Sequence, residues 1–379
     1  MPEMLIRGRP EDDVGVRLQK WRGQRRGKQP YERGIFERLF GMRGWKLLYL
    51  PLKGLEEGNL GKELIRIGTR GSLLALKQSG MMKAALEKLW PDIQVDLQVI
   101  KTTGDKITDV PLAKVGGKGL FVKELEDALL ERSVDLAVHS MKDVPAALPP
   151  GLEISAVPER EDPRDALIIR NGKYIGDLTH GAVIGTSSLR RAAQMRKMRA
   201  DFEIRNLRGN LETRLRKLDE GQFDAIILAA AGLRRMGWQD RITVHLDPVE
   251  FIPAIGQGAL GIEARSGDER IQRILAPLNH FETAVAVRAE RSLLKELEGG
   301  CQVPIGGHAR VTGKMIELSG LVASLDGMEV FRVVRTAPLE EAVELGKQVA
   351  NELLRQGAKR ILDEVYRSAA DLNKADFKV

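Results

Sequence analysis

The chain has 379 residues, 43% of them hydrophobic and 30% charged, which is an ordinary globular balance and enough length for two or three domains. A formal net charge of +7 points to an anionic partner, yet only 4% of the residues are aromatic, so the base-stacking platforms of a nucleic-acid binder are scarce and none is expected as a partner. No apolar run approaches the roughly 20 residues of a membrane span, and no export signal is recognisable, so the cytoplasm is the expected compartment.

Residues 1–62 are rich in Arg, Lys and Gly and contain no Ser or Thr. Acidic residues such as Glu11, Asp12, Asp13, Glu32 and Glu37 argue against a transit peptide, and the segment is expected to be a flexible basic extension. From residue 63 onward strands and helices alternate. Leu64–Gly68 predicts a strand, Ser72–Trp90 a helix ending before Pro91, Ile93–Ile100 a strand, Phe121–Arg132 a helix and Asp135–His139 a strand. After the charged stretch between Pro158 and Pro163 the pattern restarts. Strands are predicted at Ala166–Arg170, Ala182–Gly185, Phe202–Leu207 and Asp224–Ala229, with helices at Ser188–Arg199 and Leu211–Glu220. This order implies mostly parallel sheets flanked by helices, with ligands beyond the carboxyl ends of the strands. A helix at Glu282–Leu297 then leads to a Gly-rich loop. Strands at Met315–Ser324 and Met328–Thr336 flank the turn Asp326-Gly327, and one long helix, Leu339–Tyr366, closes a smaller α+β unit.

Several local patterns bear on chemistry. Gly256-x-Gly258-x-x-Gly261 has the letters of a dinucleotide fingerprint, but Pro253 precedes it and Ala259–Ile262 reads as a crossing strand rather than a helix. Arg70, the pair Arg190 and Arg191, and Arg208 with Arg214 recur at three strand-to-helix junctions. Free backbone N–H groups and a positive helix end suit an anion there, and a guanidinium fork grips a carboxylate; solvated helix-face charge is the alternative. Lys142-Asp143 follows the strand that ends at His139, either as a surface ion pair or as a catalytic carboxylate beside a binding cation. Cys301, the one cysteine, lies in a glycine-flanked loop and is either a small buried residue or an accessible nucleophile. One cysteine and five scattered histidines offer no metal-ligand spacing, so no metal is expected.

The blocks Ile67-Gly-Thr-Arg-Gly-Ser72, Thr102-Thr-Gly-Asp-Lys106, Lys114-Val-Gly-Gly-Lys-Gly-Leu-Phe-Val-Lys-Glu124 and His139-Ser-Met-Lys-Asp-Val-Pro145 resemble, in order, those of the porphobilinogen deaminase family. The resemblance continues through Glu161-Asp-Pro-Arg-Asp165, Gly185-Thr-Ser-Ser-Leu-Arg-Arg191, Leu207-Arg-Gly-Asn210, Pro253-Ala-Ile-Gly-Gln-Gly258 and Leu297-Glu-Gly-Gly-Cys-Gln-Val-Pro-Ile-Gly306. It implies two α/β domains akin to periplasmic binding proteins, 63–158 with 253–276 and 159–252, and a third α+β domain, 277–379. It implies a transferase, expected to be a monomer, that condenses four porphobilinogen molecules into hydroxymethylbilane on a dipyrromethane cofactor held as a thioether at Cys301.

By the same resemblance Asp143 is the catalytic carboxylate. Arg190, Arg191, Ser188, Lys142, Asp105, Arg208 and Arg214 would hold the cofactor. Arg70, Ser72, Thr186, Lys114, Lys118, Phe121 and Gln257 would meet the substrate.

Overall fold

The structure, a computed structural model, describes residues 63–103, 122–297 and 303–375, with side chains through residue 367. The basic segment 1–62 and the predicted site residues Asp105, Lys114, Lys118, Phe121 and Cys301 lie outside the described residues.

The first sheet begins with β1 (Glu63–Thr69), α1 (Leu73–Leu89) and β2 (Ile93–Val99), followed by α2 (Lys123–Leu130), β3 (Leu136–Ser140) and β4 (Leu152–Ala156). Its strand order is β2-β1-β3-β10-β4, where β10 (Leu260–Arg265) returns from much later in the chain. β1 pairs in parallel with both β2 and β3, whereas β10 runs antiparallel between β3 and β4. β3 reads as a nearly continuous apolar run because helices cover both of its faces, and Leu136, Ala137 and Val138 are all buried.

The second sheet repeats the plan. It uses β5 (Asp165–Ile169), β6 (Val183–Gly185), α3 (Leu189–Met198), β7 (Glu203–Arg205), α4 (Leu211–Asp219), β8 (Ala225–Ala229), α5 (Ala230–Met236) and β9 (Val244–His245). The order is β7-β6-β8-β5-β9, with β6 parallel to β7 and β8, and β5 antiparallel to β8 and β9. In each five-stranded sheet the one reversed strand is therefore the strand met where the chain crosses over from the other sheet. Both sheets are mixed rather than mostly parallel, since the reversed strand makes two of the four pairings in each antiparallel, although the other four strands point one way; the crossing-strand reading of 259–262 is realised as β10.

The two crossovers lie side by side. Glu161 N donates to Gly258 O across them. Gly258 sits at φ +88°, and a Cβ there would fall 2.2 Å from Glu161 O, so only glycine permits this approach.

The third unit follows α6 (Glu269–Leu275). It contains α7 (Phe281–Glu296), the antiparallel strands β11 (Ile305–Thr312), β12 (Met315–Ala323) and β13 (Val330–Pro338), and the helices α8 (Ala342–Leu353) and α9 (Lys359–Ala375). Val285, Ala289 and Leu293 of α7 pack with Leu318 and Val322 of β12 and with Leu345, Val349 and Leu353 of α8. The single helix expected over Leu339–Tyr366 is two helices. Gly357 at φ +112° leaves the right-handed helical region and turns the chain at a π turn, Leu354–Ala358.

Candidate active site

The carboxyl ends of β1, β3, β6 and β7 carry residues singled out from the sequence. Three of the following turns close on a side-chain cap. Ser72 accepts from Ala75 N at 3.3 Å, Ser188 from Arg191 N at 3.4 Å and Asn210 from Thr213 N at 2.9 Å, each satisfying a donor that the first helical turn leaves unpaired. Thr186 is buried beside Ser188, whose N–H it accepts at 3.2 Å.

Between the two sheets lies a cleft of about 480 Å³. Lys142 and Ser140 at the end of β3 and Gln78 of α1 line it from the first side, and Arg191, Arg214 and Arg235 line it from the second. Gln78 Nε2 donates to Ser140 Oγ at 3.0 Å. Asp143 is exposed, in the 3₁₀ turn Met141–Asp143, and its charge reaches both Lys142 and Arg214.

Burial pushes the Lys142 ammonium down to about 8; Asp143 opposes this shift and Arg191 adds to it. Arg214 is lowered to about 10 by burial and by the neighbouring guanidiniums of Arg191 and Arg208, and Arg235 to about 10 by burial. The Nε atoms of Arg208 and Arg235 are buried and without a hydrogen-bond partner among the described residues. Lys142, Arg191, Arg214 and Arg235 thus bring four cations to one cleft, an arrangement that suits a ligand with several carboxylates.

Behind the cleft Asp165 is fully buried at the start of β5. Arg190 Nη1 donates to its Oδ2 at 2.7 Å and to Ile252 O at 2.7 Å. Arg191 Nη2 stands 2.7 Å and its Nε 2.9 Å from Asp165 Oδ1. Gln257, itself buried, donates from Nε2 to the same Oδ1 at 3.0 Å and to Pro163 O at 2.7 Å. Burial alone would raise the Asp165 carboxyl, but the two guanidiniums outweigh it and hold the group well below the usual carboxylate range.

Of the sequence-predicted residues, Lys142, Arg191 and Arg214 share the cleft, with Asp143 and Arg208 in electrostatic reach of them. Arg70 and Ser72 are half-buried in the turn between β1 and α1. Arg190 and Gln257 turn toward Asp165. Sequence reasoning passed over Gln78, Ser140, Asp165 and Arg235. Arg235 was hidden because α5 continues the apolar run of β8 without a break, so no strand-to-helix junction is visible there. Ser140 and Asp165 lay inside quoted motifs without a role. Among the described residues no group of three or more His, Cys, Asp or Glu side chains could hold a metal ion.

Two family models match the chain: "Porphobilinogen deaminase, dipyromethane cofactor binding domain" over residues 65–273 and "Porphobilinogen deaminase, C-terminal domain" over 284–355. A protein named Porphobilinogen deaminase from Syntrophobacter fumaroxidans is 67% identical over 305 residues, covering 80% of this chain and 99% of that one. One of the same name from Geobacter metallireducens is 55% identical over 304 residues, covering 80% and 95%. Among solved structures, one described as "a putative methionine-binding lipoprotein" from Bacillus subtilis is 12% identical and covers 58% of this chain and 92% of that one, with a TM-score of 0.36. A periplasmic substrate-binding protein of an ABC transporter from Coxiella burnetii is 13% identical and covers 56% and 91%, with a TM-score of 0.38.

Proposed function

The chain belongs to the porphobilinogen deaminase family, and on that premise we propose which of its residues carry the reaction. The protein is a transferase that joins porphobilinogen units into hydroxymethylbilane with release of ammonia, in tetrapyrrole (haem) biosynthesis, and it uses a dipyrromethane cofactor.

The cleft fits such a cofactor. Every pyrrole of this class bears an acetate and a propionate, and the buried, unpartnered Nε atoms of Arg208 and Arg235 beside Lys142, Arg191 and Arg214 are donors for carboxylates. When bound, the dipyrromethane supplies the pyrrole carbon to which substrate is joined. Lys142, Ser188, Arg191, Arg208 and Arg214, with Asp105, hold its acid groups, and Cys301 is the attachment point. Arg190 holds it from behind, through Asp165. Arg70, Ser72 and Thr186 take the incoming porphobilinogen, with Lys114, Lys118 and Phe121 from the segment 104–121, and Gln257 acts through Asp165 at the crossover.

Asp143 does the chemistry. Breaking the C–N bond of the aminomethyl group expels ammonia and leaves positive charge delocalised over the substrate pyrrole. An ionised carboxylate aimed at the ring N–H stabilises that charge as it develops. The same carboxylate then takes the α-proton whose loss, once the new C–C bond has formed, restores the pyrrole's aromaticity. The observation that carries this reading is the exposed Asp143 next in the chain to the cleft-lining Lys142, its charge felt by Lys142 from the first sheet and by Arg214 from the second.

Intact-protein mass spectrometry of freshly purified active enzyme tests it. The mass should exceed that of the polypeptide by two pyrrole units, and Cys301→Ser should lack the increment. A bare polypeptide mass in active material would refute the attachment.

A pH prediction follows from Lys142. Its ammonium is lowered to about 8, so the charge that grips a carboxylate is present below that pH and lost as pH rises through it. Reconstitution of the apoenzyme with its cofactor should slow above pH 8, and Lys142→Arg, which keeps its charge, should flatten that limb. The sign is opposite for stability. The folded group binds its proton more weakly than the unfolded one, ordinarily at about 10.4, so this residue's penalty on folding is relieved between the two values.

A monomer is the working unit proposed. No described helix is long and apolar enough to cross a membrane. The cytoplasm is the compartment proposed, and the boundaries 63–158 with 253–276, 159–252 and 277–379 are the proposed division into domains.

A further inference from the structure

Two consecutive residues of α7 reach out of the third unit to different parts of the catalytic framework. Glu290, fully buried, accepts from Arg160 Nη1 at 2.6 Å, from Gly256 N at 2.6 Å and from Ala309 N at 2.8 Å, and so ties α7 to the crossovers and to β11. Burial pushes its carboxyl up, but Arg160 and His308 outweigh that and hold it at about 2. Arg291 turns the other way, to the main chain that follows Asp143. Its Nη2 donates to Pro145 O at 2.8 Å and Ala146 O at 3.3 Å, and its Nη1 to Val144 O at 3.4 Å. Nη1 also meets Met141 Sδ at 3.9 Å, on the near side of Asp143.

The segment cannot supply this order itself. Pro145 has no N–H to donate, and no main-chain donor among the described residues reaches the carbonyls of residues 144–146. One planar fork therefore holds three successive carbonyls, and a point charge at the end of a lysine stem could not do the same.

We infer that Arg291 is a positioning residue for Asp143: it pins the main chain after the catalytic carboxylate to α7. The inference rests on the reading of Asp143 given above. Each addition lengthens the chain in the cleft, whereas the carboxylate must meet the reacting ring in the same geometry every time. A small misplacement of a catalytic group lowers turnover far more than binding.

The test is a double-mutant cycle on full-length enzyme carrying its cofactor, with kcat and KM for porphobilinogen as readouts. Arg291→Gln is expected to lower kcat by roughly 10- to 100-fold with KM within about twofold of wild type. Arg291→Lys should fall between the two. In an Asp143→Asn background Arg291→Gln should cost little more, because the group it positions is already gone. Wild-type kcat in Arg291→Gln overturns the inference, as does a loss that persists undiminished in the Asp143→Asn background. Should Arg291→Gln fail to fold, Arg291→Lys decides by the same cycle, and wild-type turnover in it overturns the inference. Near-normal turnover in Asp143→Asn alone sinks the Asp143 reading and this one with it. A slow Asp143→Asn beside a normal Arg291→Gln sinks only the positioning role.

Discussion

Asp143→Asn is expected to fold as the parent does and to turn over porphobilinogen roughly 10³-fold more slowly, the scale seen when an enzyme loses one well-placed electrostatic contact to its transition state. The side chain is exposed and makes no hydrogen bond to another described residue that an amide would break, so stability should hardly change. Asparagine keeps the shape and loses the charge, and the expelled ammonia leaves behind a cation with nothing opposite it. The loss should fall on kcat, because the substrate's acids are gripped by other groups. Without Asp143 the Lys142 ammonium also loses the neighbour that raises its pKa. The alkaline loss of cofactor uptake by the apoenzyme should therefore begin at lower pH in this variant. Steady-state rates check the first statement and reconstitution rates from pH 6 to 9 the second, and a kcat within tenfold of wild type contradicts the assignment.

Asp165→Asn is expected to cost about 3–5 kcal/mol of stability, because it removes one partner of a buried ionic cluster and strands the others. Arg190 is 3% exposed and Arg191 6% exposed, so neither guanidinium can recover the lost interaction from water. The pH sign can be checked on the parent enzyme. The folded carboxyl titrates below its unfolded value, so the stability it contributes is complete above about pH 4 and is lost only as pH falls further. Urea unfolding followed by circular dichroism should show a lower midpoint for the variant at pH 7. It should also show a smaller dependence on pH below 4. An unchanged midpoint at pH 7 would mean the cluster contributes nothing net.

Much of this architecture is legible in the amino-acid order, and the parts that are not share a cause. The turns at Ser72, Ser188 and Asn210 announce themselves because capping is a local matter, settled within three residues. α5 does not, because Ala230–Met236 prolongs the apolar run of β8 and a short run has no period of its own. β11 contains Gly306, Gly307 and His308 and looks like loop; pairing with β12 along its whole length makes it a strand. Helical spacing continues through Gly357, so a broken helix looked like a single one.

The site shows the same division. Adjacent arginines at a helix start mark an anion-binding junction, and Arg191 does line the cleft. That both also grip Asp165 was invisible, since the partners lie 25 and 26 positions apart and only the closed sheet brings them together. Arg291 is likewise unmarked: its partners are carbonyl oxygens, which any residue has.

The crossing of the chain between the sheets has a consequence for biosynthesis. β3 ends at Ser140, but the strand that covers its open edge starts at Leu260. All five strands of the second sheet leave the ribosome between those two points. At about 5–20 residues per second, the half begun first waits several seconds or longer with a bare edge, while the half begun second can already close. A pause or a truncation upstream of Leu260 thus leaves a sound second half attached to an unfinished, sticky first one.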